Sequence, residues 1–204
     1  MPSDRPGAVA GVVLAAGTST RMGQNKLFLT LDGETIVHRA VRRAAEAGLD
    51  PVFVVLGHEA DRVREALGTL ACQPIVNPDY LAGVNSSLRA GIRAVSDTTA
   101  RAAVVVLADM PFVTAAMIAT LVDEYRQSSA PLVISDYDGV NAPPMLYDRA
   151  LFPELAASEG QGCGKHVVKR HRAEAVGIAW PADALVDVDV PEDVERVRAA
   201  VEAR

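Results

Sequence analysis

Most of what would mark this chain for the cell exterior, a membrane or nucleic acid is missing. It has two cysteines, Cys72 and Cys163, far apart and outside any C-x-x-C pattern. Neither a disulfide framework nor a redox pair is expected, and a reducing cytoplasm is the simpler location. The first residues, MPSDRPG, hold no apolar segment of the signal-peptide kind, so residues 1–7 read as a disordered lead-in. No apolar run approaches the roughly 20 residues that cross a bilayer. Lys and Arg number 20 against 26 Asp and Glu, a net charge of −6, which argues against non-specific binding of nucleic acid or an anionic membrane. Aromatic residues are 4% of the chain; alanine and valine are left to fill the interior, which favours helices packed closely on a sheet. Metal-binding histidine spacing is also absent. His166 and His171 are five apart, not the four that puts two ligands on one helical face, and Cys163 with His166 makes a poor zinc site. All four histidines read as structural or exposed.

What is present is a core. Half of the 204 residues are hydrophobic, enough for one well-packed domain over 8–204. Continuous apolar runs alternate with helix-period segments. Val9–Leu14, residues 51–57, Pro74–Val76, the run from Ala102 and Pro131–Ser135 read as strands. Helical spacing appears after Thr35 (Ile36, Val37, Ala40, Val41, Ala44), over Glu59–Leu67, at Leu88, Ile92 and Val95, and after Thr114 (Met117, Ile118, Leu121, Val122, Tyr125). Ser86 or Ser87 is suited to cap the helix that carries Leu88. A last helix starts at Pro191, with Val194, Val197 and Val201 inward. The alternation predicts an α/β fold of parallel strands with helical crossovers and ligands beyond the strands' carboxyl ends.

The stretch at such an end that carries most chemistry is VVLAAGTSTRMGQNK, Val12 to Lys26. An apolar strand breaks into Ala15, Ala16 and Gly17, whose small side chains let a ligand approach the backbone. Successive N–H groups there suit an anion, and the cations Arg21 and Lys26 follow. The pattern points to a phosphate-bearing ligand. It is neither a Walker loop nor a dinucleotide fingerprint: Gly17 and Gly23 are too far apart for the first, and Ala15 stands at the first glycine of the second. Asp109, directly after the most apolar run, would face that phosphate loop as a second anion. A divalent cation resolves the conflict, since Mg²⁺ uses one or two carboxylates plus phosphate oxygens.

Leu14, Gly17, Arg21, Met22 and Lys26 fill every fixed position of the signature L-x-x-G-x-x-x-R-M-x-x-x-K. In this the chain resembles the MobA-like NTP-transferase family, which transfers a nucleoside monophosphate from an NTP to a phosphorylated acceptor. The resemblance implies a Rossmann-like three-layer α/β/α sandwich with a mostly parallel central sheet, the nucleotide-diphospho-sugar transferase fold. Its LAAG loop, unlike LAGG, is similar to the cytidylyltransferases of molybdenum cofactor maturation, and the Ala16 methyl would narrow the base pocket. Asp109-Met110-Pro111 matches the family's Asp-x-Pro.

By resemblance the nucleotide is held by Leu14, Ala15, Ala16, Gly17, Arg21, Lys26, Asn77, Gly83, Ser86 and Ser87. Arg21, Lys26 and Asp109 are catalytic, and Mg²⁺ sits on Asp109 with Asp187 or Asp189. The implied partners are CTP, a phosphorylated acceptor such as molybdopterin, and a molybdoenzyme or its chaperone. Two departures stand out. Gly160-Gln161-Gly162-Cys163-Gly164-Lys165 replaces Gly-Asp-x-Gly-[AV]-Arg, and Val190 replaces a capping threonine. Lys165, Lys169, Arg170 and Arg172 still make that region basic. The altered segment leaves a sugar or polyol phosphate open as acceptor, and a non-catalytic nucleotide-binding role remains the third reading.

Overall fold

Strand β1 (Val9–Ala15) is buried along its whole length, and its side chains alternate between two layers. Val9, Val13 and Ala15 enter one apolar cluster; Ala10, Val12 and Leu14 enter the other. A strand covered on both faces needs an unbroken apolar run rather than an alternating one, which is why this segment reads as it does. The computed structural model describes residues 7–19 and 25–185.

After β1 come a small hairpin, β2 (Thr30–Leu31) and β3 (Glu34–Thr35), and helix α1 (Ile36–Glu46), where Thr35 accepts the His38 N–H as N-cap. Then follow β4 (Val52–Leu56), α2 (Ala60–Leu67), β5 (Gln73–Val76), α3 (Val84–Ser96), β6 (Ala102–Leu107) and α4 (Ala115–Gln127). The last third holds β7 (Leu132–Tyr137), β8 (Val140–Asn141), β9 (Met145–Asp148), α5 (Phe152–Ala156), α6 (Lys165–Arg170) and β10 (Val176–Trp180). The central sheet runs β10-β7-β9-β6-β1-β4-β5, with β8 on β7. Pairs along it are parallel except where β9 meets β6 and β7, and where β8 meets β7. Side chains of α1, α2 and α4 pack in one layer; those of α3, α5 and α6 pack in the other. The expected three-layer α/β/α sandwich is what forms.

Chain order makes β1 a switch point. The chain leaves it for β4 and β5 on one side, then returns through α3 to β6 on the other. Such a reversal opens a crevice at the strands' carboxyl ends. Helix α3 lies tight on β1: a Cβ at Gly91 would stand 2.3 Å from Val12 Cγ1.

Two expectations change, and one strand appears where none was expected. Helix α3 begins at Val84 with Gly83 as N-cap, so Ser86 and Ser87 lie inside its first turn and cap nothing. The strand expected over 131–135 continues to Tyr137, because its end pairs with β8. The segment 145–148 is a full member of the sheet, filling the gap between β6 and β7. The helix expected from Pro191 lies outside the described residues. Among the described residues, no helix is long and apolar enough to cross a membrane.

Candidate functional site

A cavity of about 330 Å³ opens at the carboxyl ends of β1 and β6. One wall is the first loop, Leu14 to Ser19. Tyr80, Leu81, Gly83, Val84 and Ser87 come from the approach to α3, Lys26 and Asp109 from two further loops, and Gln161 from the segment before α6.

Lys26 and Asp109 form an ion pair, Nζ to Oδ2 2.6 Å, with side chains 12% and 25% exposed. Both ends are held by backbone. Asn25 accepts the Leu27 N–H at 3.1 Å and caps the 3-10 turn Lys26–Phe28, while the Lys26 N–H donates to Ser19 Oγ at 3.2 Å. On the other side, the Ala108 N–H donates to the Leu14 carbonyl at 3.1 Å, so the chain leaves β6 beside the first loop. Arg43 of α1 donates to the Pro111 and Val113 carbonyls at 2.6 and 2.7 Å, fixing the turn beyond Asp109. Burial lowers the Arg43 pKa to about 10, which leaves it charged at neutral pH.

Among the described residues, a Cβ at Gly17 would meet nothing within 4 Å. Its backbone conformation does not require glycine, and no described residue crowds the position. The Ala16 methyl sits in the wall, where a Cβ on Gly57 would press on both Ala16 and Tyr80 at 2.7 Å.

Asn77 is buried and donates through Nδ2 to Ser86 Oγ at 2.9 Å and Ser87 Oγ at 3.0 Å, while its Oδ1 accepts the Asp79 N–H. Ser86 in turn donates to the Gly83 carbonyl at 2.8 Å. Leu14, Ala15, Ala16, Gly17, Lys26, Gly83, Ser87 and Asp109 therefore stand on the cavity wall. Asn77 and Ser86 stand behind it and shape it. Arg21, Asp187 and Asp189 lie outside the described residues.

Sequence reasoning passed over Asn85 and Gln161. Asn85 is 1% exposed. Its Nδ2 donates to the Glu159 and Gln161 carbonyls at 2.6 and 3.1 Å, and its Oδ1 accepts the Gly164 N–H at 3.0 Å. Within a turn-rich stretch an asparagine reads as a turn former, and nothing local announces partners 74 to 79 residues away. The segment it fastens has positive φ at Gly160, Gly162, Cys163 and Gly164, which accounts for its glycines. Burial, and then the Asp109 charge, push the Cys163 thiol up to about 12, so it is no thiolate near neutral pH.

The basic segment is partly neutralised. Arg170 pairs with Glu154 at 2.6 Å and Arg172 reaches Asp136 at 4.0 Å. No histidine lines the cavity; His38 meets Glu34, His166 meets Ser158 and His171 meets Glu154. The described residues hold no group of three or more His, Cys, Asp or Glu arranged for a metal. Asp109, a hard oxygen donor in the cavity lining, fits a cation that takes one or two carboxylates from protein and the rest of its shell from phosphates and water.

The family model for the MobA-like NTP transferase domain matches residues 11–176. The purine catabolism protein PucB of Bacillus subtilis is 30% identical over 200 residues, covering 94% of this chain and 96% of PucB. A probable molybdenum cofactor guanylyltransferase of Opitutus terrae is 37% identical over 140 residues, 69% of this chain and 66% of that protein. Rv0371c of Mycobacterium tuberculosis superposes with a TM-score of 0.83 at 27% identity, over 95% of this chain and 98% of its own. A structure of Rv0371c in complex with manganese superposes at 0.76 and 26% identity, over 95% and 99%.

Proposed function

The chain belongs to the MobA-like NTP transferase family, and from that premise we propose that it moves CMP from CTP onto a phosphorylated acceptor of the molybdopterin kind, releasing pyrophosphate. The observation that carries the reading is the Lys26–Asp109 pair in the lining of a cavity that the first loop, with Gly17, also lines. A cation and a carboxylate at one point beside a small-residue loop suit a ligand that brings both negative charge and a metal.

In the reaction an acceptor phosphate oxygen attacks the α-phosphorus of the NTP. The new P–O bond forms as the bond from the α-phosphorus to the bridging β-phosphate oxygen breaks. A phosphate monoester has a second pKa of about 6 and is largely dianionic near pH 7, so it needs no base, in keeping with a cavity that histidines do not line. The chain's work is placement and charge. The first loop, with Ala15 to Gly17, seats the triphosphate. Lys26 turns from Asp109 to the β- and γ-phosphates and stabilises the charge on departing pyrophosphate. Asp109, relieved of Lys26, would hold Mg²⁺, which supplies charge neutralisation at the reacting phosphates. Asn77 holds the Ser87 hydroxyl at the cavity wall and the Ser86 hydroxyl behind it. Arg21 and Asp187 or Asp189 complete the proposed set.

The choice of CTP rests on the Ala16 methyl in the cavity wall. The test is pyrophosphate release by the full chain given each of the four NTPs with Mg²⁺ and molybdenum cofactor. The expected result is release with CTP that depends on the acceptor and falls by roughly 10²–10³-fold in Asp109→Asn. No release with any NTP overturns the reading.

A further inference from the structure

We propose that Arg43 is the positioning residue of Asp109: from helix α1 its guanidinium holds the turn that follows the carboxylate, so that Asp109 stays in the cavity lining when its partner changes from Lys26 to a divalent cation. The proposal rests on the functional reading above, in which Asp109 holds that cation.

Asp109 sits on a stretch that is well anchored before it and weakly bonded after it. Before it, β6 is paired on both sides, and the Ala108 N–H donates to the Leu14 carbonyl at 3.1 Å. After it, the chain must turn before α4 starts at Ala115. The turn's own backbone bonds are long: the Met110 N–H donates to the Leu107 carbonyl at 3.4 Å, and the Val113 N–H to the Met110 carbonyl at 3.3 Å. Pro111 has no N–H to add. Arg43 supplies what the turn lacks. Its Nη1 donates to the Pro111 carbonyl at 2.6 Å and to the Val113 carbonyl at 2.7 Å, and a charged donor makes such bonds stronger than neutral ones.

Stability alone is a poor reason for an arginine at this place. Arg43 continues the helical spacing of Ile36 and Ala40, both buried, where an apolar side chain would fill the same face at less cost. The nearby carboxylates, Glu34 and Glu46, pair with Arg42 instead. A charge kept there and aimed at two carbonyls of one turn fixes a geometry more than it adds stability. The geometry it fixes is that of the residue between its turn and the end of β6, which is Asp109.

The test measures three quantities on the full chain. They are Mn²⁺ affinity with CTP present, from the free Mn²⁺ signal in electron paramagnetic resonance; affinity for inorganic tripolyphosphate in EDTA, by calorimetry; and Tm. Asp109→Asn checks the underlying reading and should weaken Mn²⁺ binding at least about 10-fold. Arg43→Met keeps the aliphatic stem and removes the donors. Groups that orient a metal ligand are worth about 10- to 100-fold in metal affinity, and a loss in that range is expected. Tripolyphosphate without metal calls on Lys26 and the first loop, so its affinity should hold. Arg43→Lys keeps the charge but is shorter and lacks the fork; it should recover most of the loss and stay about 3-fold below wild type. Val95→Ala, at the end of α3 away from the cavity, lowers Tm through packing alone and should leave Mn²⁺ affinity unmoved. An Arg43→Met protein that behaves like Val95→Ala overturns the proposal. So does a parallel loss of tripolyphosphate affinity, which would mean that the whole cavity had collapsed. Should Arg43→Met not fold, Arg43→Lys decides, and Mn²⁺ affinity equal to wild type overturns the proposal. If Asp109→Asn leaves Mn²⁺ affinity unmoved, the metal reading falls and this proposal with it.

Discussion

Replacing Lys26 with methionine should make a divalent cation bind more tightly to the nucleotide-free protein. In that state the Asp109 carboxylate is already occupied by the Lys26 ammonium at 2.6 Å, and a metal must displace or share it. Fully exposed pairs are worth roughly 0.2–1 kcal/mol, and breaking a buried one costs about 3–5. With side chains 12% and 25% exposed, this pair belongs between those limits, at about 1–2 kcal/mol. At 1.4 kcal/mol per factor of ten, that is a gain of roughly 5- to 30-fold in Mn²⁺ affinity for Lys26→Met. The gain should shrink with salt, since part of the pair is solvated. With NTP present the sign reverses, because the lysine then serves the phosphates. The free Mn²⁺ signal in electron paramagnetic resonance, titrated with and without CTP, reads both. Unchanged or weaker Mn²⁺ binding by the nucleotide-free variant would refute the idea that lysine and metal compete for one carboxylate.

Three other outcomes follow from the geometry. Gly17→Ala should shift Tm by no more than about 1 °C, since its Cβ meets none of the described residues within 4 Å, yet lower NTP affinity at least about 10-fold by filling ligand space; a stability loss without a binding loss would contradict this. Asn77→Ala leaves two buried hydroxyls and the Asp79 N–H without their partner. About 2 kcal/mol should be lost, or a Tm drop of roughly 4–8 °C at this size, and calorimetry showing under 1 °C would be inconsistent with it. Glu34 is held down to about 2 from 4.5, first by its bond from Arg42 and then by His38. A depressed carboxylate stabilises the fold above its unfolded pKa and loses that as pH falls. Glu34→Gln should therefore trail wild type by about 1 kcal/mol above pH 4.5, the figure being small because water screens the pair. The gap should close between 4.5 and 2, and urea melts across that range would show a constant gap if the pairing is idle.

Legibility in the sequence followed the range of the interactions. β1 and β4 announced themselves because burial on both faces demands an uninterrupted apolar run. α4 did so because Thr114 caps it and Met117, Ile118, Leu121, Val122 and Tyr125 recur at helical spacing. The start of α3 was misplaced because its cap is Gly83 and its amides are met from residues 160 and 161, which no local pattern encodes. β9 was similarly hidden: four residues between turns become a strand only because β6 and β7 leave a slot for them.

The sequence by itself determined the layered α/β architecture, the loop from Leu14 to Gly17 and the candidacy of Lys26 and Asp109. These depend on periodicity, residue size and charge at fixed offsets, all of which are local. Only the tertiary structure decided that Lys26 and Asp109 hold each other, that Asn77 and Ser86 stand behind the wall, and that Asn85 brings Gln161 into the cavity. The reason is physical: each is a contact between segments that β1, as the switch point of the sheet, draws together at one end.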